Sequence, residues 1–287
     1  MTTDKFILST MLNLVYWDGD QAHVINTGKL GDGVAHYNGI TWDEDGVMYV
    51  TGCNKFHYVL YKYQLPTFEF LGYVPGELHE THQIFYQDGK IYIANTGKNR
   101  VEVYHRGSWY SVAWRPSPHD IDHINALWSD KQYMYVAEHR QKVTGISIVR
   151  KCSLELEHIE DYEIGPNIHN IYRDGDLLYN LTSPHDDDPA GIVITDLQSG
   201  AQDRVNKPEW GRVLLRGLAR TEDYWYVGMS RWEGNRAKRE IGDALIIQLD
   251  NDFNETERIL LEDYGPVCDI RVLNAPDKAH NGIVHHV

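Results

Sequence analysis

The chain has 287 residues, with 42 acidic against 27 basic side chains and a formal net charge of −15. That excess of carboxylates excludes a nucleic-acid-backbone binder and disfavours anionic membranes, because both are held by clustered Lys and Arg. Three cysteines, Cys53, Cys152 and Cys268, lie far apart without a CxxC spacing, so neither a disulfide framework nor a thiolate zinc site is expected.

From the N-terminus, the apolar stretch FILSTMLNLVY is short and lacks a small-residue cleavage site, and no run has the length of a membrane span. A cytoplasmic location is the expectation. Strands are predicted at Phe6–Thr10, Asn13–Tyr16 and Ala22–Asn26. A motif then begins with AHYNGITWDEDGVMYV at Ala35 and returns as THQIFYQDGKIYI at Thr81, HINALWSDKQYMYV at His123, IHNIYRDGDLLY at Ile168 and LRGLARTEDYWYV at Leu215, closing with VCDIRVL at Val267.

Aligned on the following apolar residue, the key position holds Asn38, His82, Asn125, His169, Arg216 and then either Cys268 or Asp269. Successive steps of 44, 43, 44, 47 and 52 residues match the roughly 40–45 residues of a four-stranded propeller blade. Within one unit, HQIFYQ, KIYIAN, RVEVYH and WYSVAW are four β-rich segments separated by turn residues, an antiparallel meander. Rings on the second and fourth strands are expected to fill the wedges between sheets.

Five complete units leave loose ends. The C-terminal VCDIRVL supplies one inner strand and the N-terminus three more, which together close a sixth blade and remove an open edge. The predicted fold is a single-domain, all-β, six-bladed propeller over residues 1–287, its closing blade built from both termini. The tail from Asn274 to Val287, with His280, His285 and His286, falls outside this scheme and is expected to be exposed, the alternative being that it caps one face.

First strands line the central channel of such a ring, so the key residues crowd the axis. Two positions earlier, on the same side of each strand, stand His36, Glu80, His123, Asn167, Leu214 and Pro266. Loops after the second strands return to this mouth and bring Glu138, His139, His185, Asp186 and Arg231, with the long segment Arg231–Glu240 as a lid. Histidines, asparagines and a glutamate at repeat-equivalent positions are costly to bury together unless a ligand, ion or water satisfies them.

The segments NGITWDEDGVMYVTG and NALWSDKQYMYVAE resemble the Asn-Gly-Leu-x-Trp-x-x-Asp-Gly-x-x-Tyr-Val signature of the superfamily of six-bladed propellers that includes SMP-30/gluconolactonases, squid-type phosphotriesterase and paraoxonases, a motif shared with NHL-like propellers. The resemblance implies a divalent cation, usually calcium, in the channel, where it polarises a lactone or phosphoester beside an acidic or histidine base. Asn38 and Asn125 match ligand positions of that pattern. Asn38 stands where the lactonases carry their first-blade glutamate, Arg216 stands where a ligand aspartate is expected, and the imidazoles of His82 and His169 suit a transition metal better than calcium.

The expected function is therefore metal-assisted hydrolysis of a small lactone or ester. The metal ligands would come from His82, His169, Asn38, Asn125, Glu80 and Asp269. His36 or His123 would serve as general base, Glu80 would ligate or orient, and Arg216, Arg231 and Asn167 would bind an anionic substrate. Two other readings use the same residues: a histidine acid–base lyase or isomerase, and a non-catalytic propeller that binds a ligand or a protein.

Overall fold

The computed structural model describes residues 4–25, 36–53, 57–113, 119–140, 143–184, 189–231 and 242–285. Its strands form six antiparallel four-stranded sheets, one for each predicted blade. The inner strands are His36–Trp42, Thr81–Gln87, Ile124–Ser129, Ile168–Asp174, Val213–Arg220 and Val267–Val272, which begin the first to sixth blades in that order. Among the described residues no helix is long and apolar enough to cross a membrane.

The sixth blade closes the ring as the sequence suggests. Phe6–Thr10 lies between Val267–Val272 and Leu14–Trp17, with Ala22–Val24 outermost. The pairing sets Phe6 opposite Val272, Leu8 opposite Ile270 and Ser9 opposite Asp269. Alternating side chains of Phe6–Thr10 enter the cores on both sides, so all five residues are buried.

Second-strand rings pack between the sheets, where Tyr92, Tyr135 and Tyr226 are almost fully buried. The fourth strands depart from expectation. Phe70, Tyr73 and Tyr110 sit on the outer rim, 37–48% exposed, because the outermost strand has no further sheet to pack against.

Each inner strand is bulged at or just after its key residue. In the first blade Tyr37 faces Gly52 and Ile40 faces Val50, which leaves Asn38 and Gly39 opposite the single residue Thr51. Equivalent irregularities occur at His82, at Asn125, just after His169, and at Arg216. A bulge releases a residue from the ladder and re-aims its side chain. The crowding is tight: a Cβ on Gly228 would lie 2.1 Å from the carbonyl oxygen of Arg216, so only glycine admits that bulge. In the sixth blade Ser9 pairs with Asp269 and Thr10 with Val267, so the bulged residue is Cys268.

The C-terminal tail corrects the sequence reading. Rather than lying exposed throughout, Asn274–His285 packs across the far ends of inner strands. Asp277 and His280 are 0% and 4% exposed. Trp42 Nε1 donates to Ile283 O (2.9 Å), Trp128 Nε1 donates to Lys278 O (3.1 Å), and Lys278 N donates to Arg220 O (2.6 Å). These bonds tie the tail to the first, third and fifth blades.

His280 packs against Trp42 and Phe85 with Nε2 2.8 Å from Thr41 Oγ1, and burial holds its pKa well below the usual imidazole value. The folded state therefore binds this proton more weakly than the unfolded chain does, so its contribution is present above about pH 6.5 and is lost as pH falls. Unfolding by urea at pH 6.5 and 5.5 should show His280→Gln losing about 1 kcal/mol less than wild type across that interval. An identical pH dependence in both proteins would contradict the assignment.

Candidate functional site at the channel mouth

The bulges bring six side chains to the axis. Asn38, His82, Asn125, His169, Arg216 and Cys268, with Gln83 and Asn170, line a cavity of about 20 Å³. The two neighbours are committed to the scaffold: Gln83 Nε2 donates to Asp269 Oδ1 (3.1 Å), and Asn170 Oδ1 accepts from Gly217 N (3.0 Å).

Above this neck four histidines run round the mouth. Ring centroids are 5.1 Å apart for His82 and His123, 5.2 Å for His123 and His139, and 5.5 Å for His139 and His169. His139 belongs to the loop after a second strand, and two further loops of that kind return here. Thr96 Oγ1 lies 2.7 Å from His82 Nδ1, and Ser183 Oγ lies 2.7 Å from His169 Nε2.

These contacts set the tautomers. Thr96 Oγ1 donates to Ile124 O, so it accepts from His82 Nδ1–H and leaves His82 Nε2 with a lone pair. Asn125 Nδ2 faces His169 Nδ1 at 3.2 Å; the amide donates, so His169 carries its proton on Nε2 and gives it to Ser183. Asp120 Oδ2, 2.9 Å from His123 Nδ1, accepts that proton and orients the ring with Nε2 basic.

Burial, with the neighbouring imidazole of His123 and the Arg216 guanidinium, depresses the His82 pKa well below the ordinary value. His169 is depressed likewise, by burial and then Arg216. Both stay neutral. Burial also pushes the Cys268 thiol up to about 12 despite Arg216, which keeps it un-ionised and a poor nucleophile.

The other expected residues lie elsewhere. His36 starts its strand opposite Cys53 and is not part of the cavity lining. Glu80 is exposed, and its backbone oxygen lies 3.2 Å from His82 Nδ1. Asn167 is buried and donates through Nδ2 to Pro184 O (3.1 Å), pinning a loop. Glu138 is fully buried and ion-paired with Arg150 (3.2 Å). Arg231 borders a separate cleft of about 390 Å³ on the fifth blade, with Trp210, Met229, Leu245 and Leu260. His185, Asp186 and most of the expected lid fall outside the described residues.

At the sixth position Cys268 takes the axial place and Asp269 is turned into the scaffold. Its carboxylate meets Arg271 Nη2 at 3.0 Å and accepts from Ile40 N and Gln83 Nε2, both at 3.1 Å. The donor set at the neck is a poor match to calcium, which takes hard oxygens with carboxylate charge. No carboxylate lines the cavity, a guanidinium does, and both nitrogens of His169 are engaged. Among the described residues, no three His, Cys, Asp or Glu side chains are grouped to hold a metal ion.

The architecture defines a six-bladed β-propeller with a polar axial neck. No family model and no curated protein sequence matches the chain. Among solved structures, a chain of a nidogen–laminin complex is similar, with a TM-score of 0.68 at 11% identity over 93% of this chain and 97% of that one. A protein from Lactobacillus plantarum gives 0.57 at 11% identity over 94% and 99%. A chain of a mitotic checkpoint complex gives 0.56 at 9% identity over 92% and 78%. Likeness at such identities shows the fold alone, so the resemblance to the SMP-30/gluconolactonase superfamily is supported as a six-bladed architecture and no further.

Proposed function

We propose that the protein is a small-molecule enzyme of the acid–base class, which binds an anionic substrate at the channel mouth. The observation that carries this reading is the His123–Asp120 pair at 2.9 Å, its ring set against His82, whose imidazole is held neutral. A carboxylate that fixes one imidazole nitrogen as donor leaves the other as a general base and stabilises the imidazolium formed when it takes a proton. Arg216 is the cationic group of the cavity and suits a carboxylate or phosphate. In this reading Arg216 holds the anionic end, and His123 removes a proton from a bound water or from the substrate itself.

Calorimetric titration with a panel of small carboxylates and phosphates tests the binding half. Arg216→Leu should weaken anionic ligands by about 2–5 kcal/mol while sparing neutral analogues. Equal losses for both classes would make Arg216 a structural residue. Stoichiometric divalent metal in protein purified without an affinity tag would favour the metal-assisted lactone or ester hydrolase instead.

A further inference from the structure

We propose that the group entering the neck is a hydroxyl, and hence that the ligand is a short hydroxy acid; this rests on the anion-binding reading above and narrows it. The Asn125 amide is fixed in orientation, because Nδ2 donates to Ile168 O at 2.7 Å and faces His169 Nδ1 at 3.2 Å. Both amide hydrogens are thereby used. The carbonyl oxygen Oδ1 is left as a buried acceptor without a hydrogen-bond partner, on a residue 3% exposed that lines the cavity. A buried acceptor left unmet is costly. The neck thus calls for a donor.

His82 Nε2 is a second acceptor of the same residue set, since its Nδ1 proton goes to Thr96. Size narrows the choice. About 20 Å³ admits a group the size of one water and excludes a carboxylate or a ring. Charge narrows it further, because an ammonium donor would sit beside the Arg216 guanidinium of the same cavity, whereas a neutral hydroxyl meets no repulsion. Arg216 then takes the acid. The neck takes only the hydroxyl, so the carboxylate stays at its mouth; because Arg216 is itself one of the neck's lining residues, the two groups must be close together in the ligand, as in a 2- or 3-hydroxy acid.

The test compares matched ligand pairs on the wild-type protein by calorimetry: glycolate with acetate, lactate with propionate, 3-hydroxybutyrate with butyrate. A site built to bond a hydroxyl rejects the analogue lacking it, so each hydroxy acid is expected to bind at least about tenfold more tightly. In Asn125→Leu that ratio should fall to near one. Equal affinities within the wild-type pairs overturn the inference, as does a preference that survives Asn125→Leu. Because the ligand pairs decide the point on unmodified protein, poor folding of the variant does not blunt the test. If no carboxylate binds, and Arg216→Leu changes nothing, the anion-binding reading itself fails. Acids that bind without regard to the hydroxyl leave that reading standing and sink only this one.

Discussion

Removing residues 1–10 is expected to leave no cooperatively folded protein. The deleted strand is the second of its sheet, between the inner strand Val267–Val272 and Leu14–Trp17, so its loss separates the two chain ends that close the ring. Phe6, Ile7 and Leu8 are completely buried, and Phe6 packs on Trp17 and Tyr226 at ring distances of 5.9 and 5.7 Å. Burying each such side chain contributes about 1.5–3 kcal/mol, and three of them rival the whole stability of an ordinary domain, about 5–15 kcal/mol. Ser9 and Thr10 add side-chain bonds to Asn38 O in the first blade and Tyr264 O beyond the fifth. Near-ultraviolet circular dichroism with thermal melting gives the answer. A truncated protein that keeps a sharp melt and native signal would mean that the ring does not depend on this strand.

Arg271→Met should cost about 3–5 kcal/mol, the loss typical of breaking a buried ion pair from one side. Arg271 is 1% exposed. Its guanidinium meets Asp269 Oδ2 at 3.0 Å and donates to Ile40 O (3.2 Å), Leu218 O (3.1 Å) and Ile270 O (2.9 Å), joining the sixth blade to the first and the fifth. Burial raises Asp269 and Asp277 to about 6, and Arg271 opposes that rise in both. Without the arginine the two carboxyl groups would hold their protons more tightly still. A carboxyl with a raised folded-state pKa favours the fold as pH drops through that value towards the unfolded-state value. The variant should therefore be less impaired at pH 5 than at pH 8 when unfolded by urea. A loss below about 1 kcal/mol at pH 8 would show that the pair adds little.

Much of the ring was legible because blades repeat. The period of the motif gave the count, and the unmatched ends gave the closure. The axial positions of Asn38, His82, Asn125, His169 and Arg216 followed from the same alignment. Reading two residues back along each strand placed neither His36 nor Glu80 in the neck lining; for Glu80 the reason is that alternation holds only where the backbone is extended. Glu80, His123 and Asn167 instead take left-handed conformations, with φ of 46°, 53° and 56°, just before the bulges. The choice between Cys268 and Asp269 turned on that same extra residue. Asp120, Thr96 and Ser183 lie in connections whose geometry no repeat encodes, although the three-residue spacing of Asp120 and His123 in HDIDH was a usable signal. The tail stood outside the alignment, and its pattern of Asp277, His280 and Ile283 has meaning only against the strand ends it covers.

The bulges separate two jobs that most strand positions must combine. Ladder residues such as Ile40 and Ile84 hold the sheet, while the residues freed beside them, Asn38 and His82, face the axis. Five of the six axial positions, all but the ladder-paired His169, can therefore be rewritten with little disturbance to pairing, much as the loops of a barrel enzyme are exchanged over a constant frame. Simultaneous randomisation of Asn38, His82, Asn125, Arg216 and Cys268 would sample new neck chemistries on an unchanged ring, with polarity and side-chain volume as the chief limits on what folds.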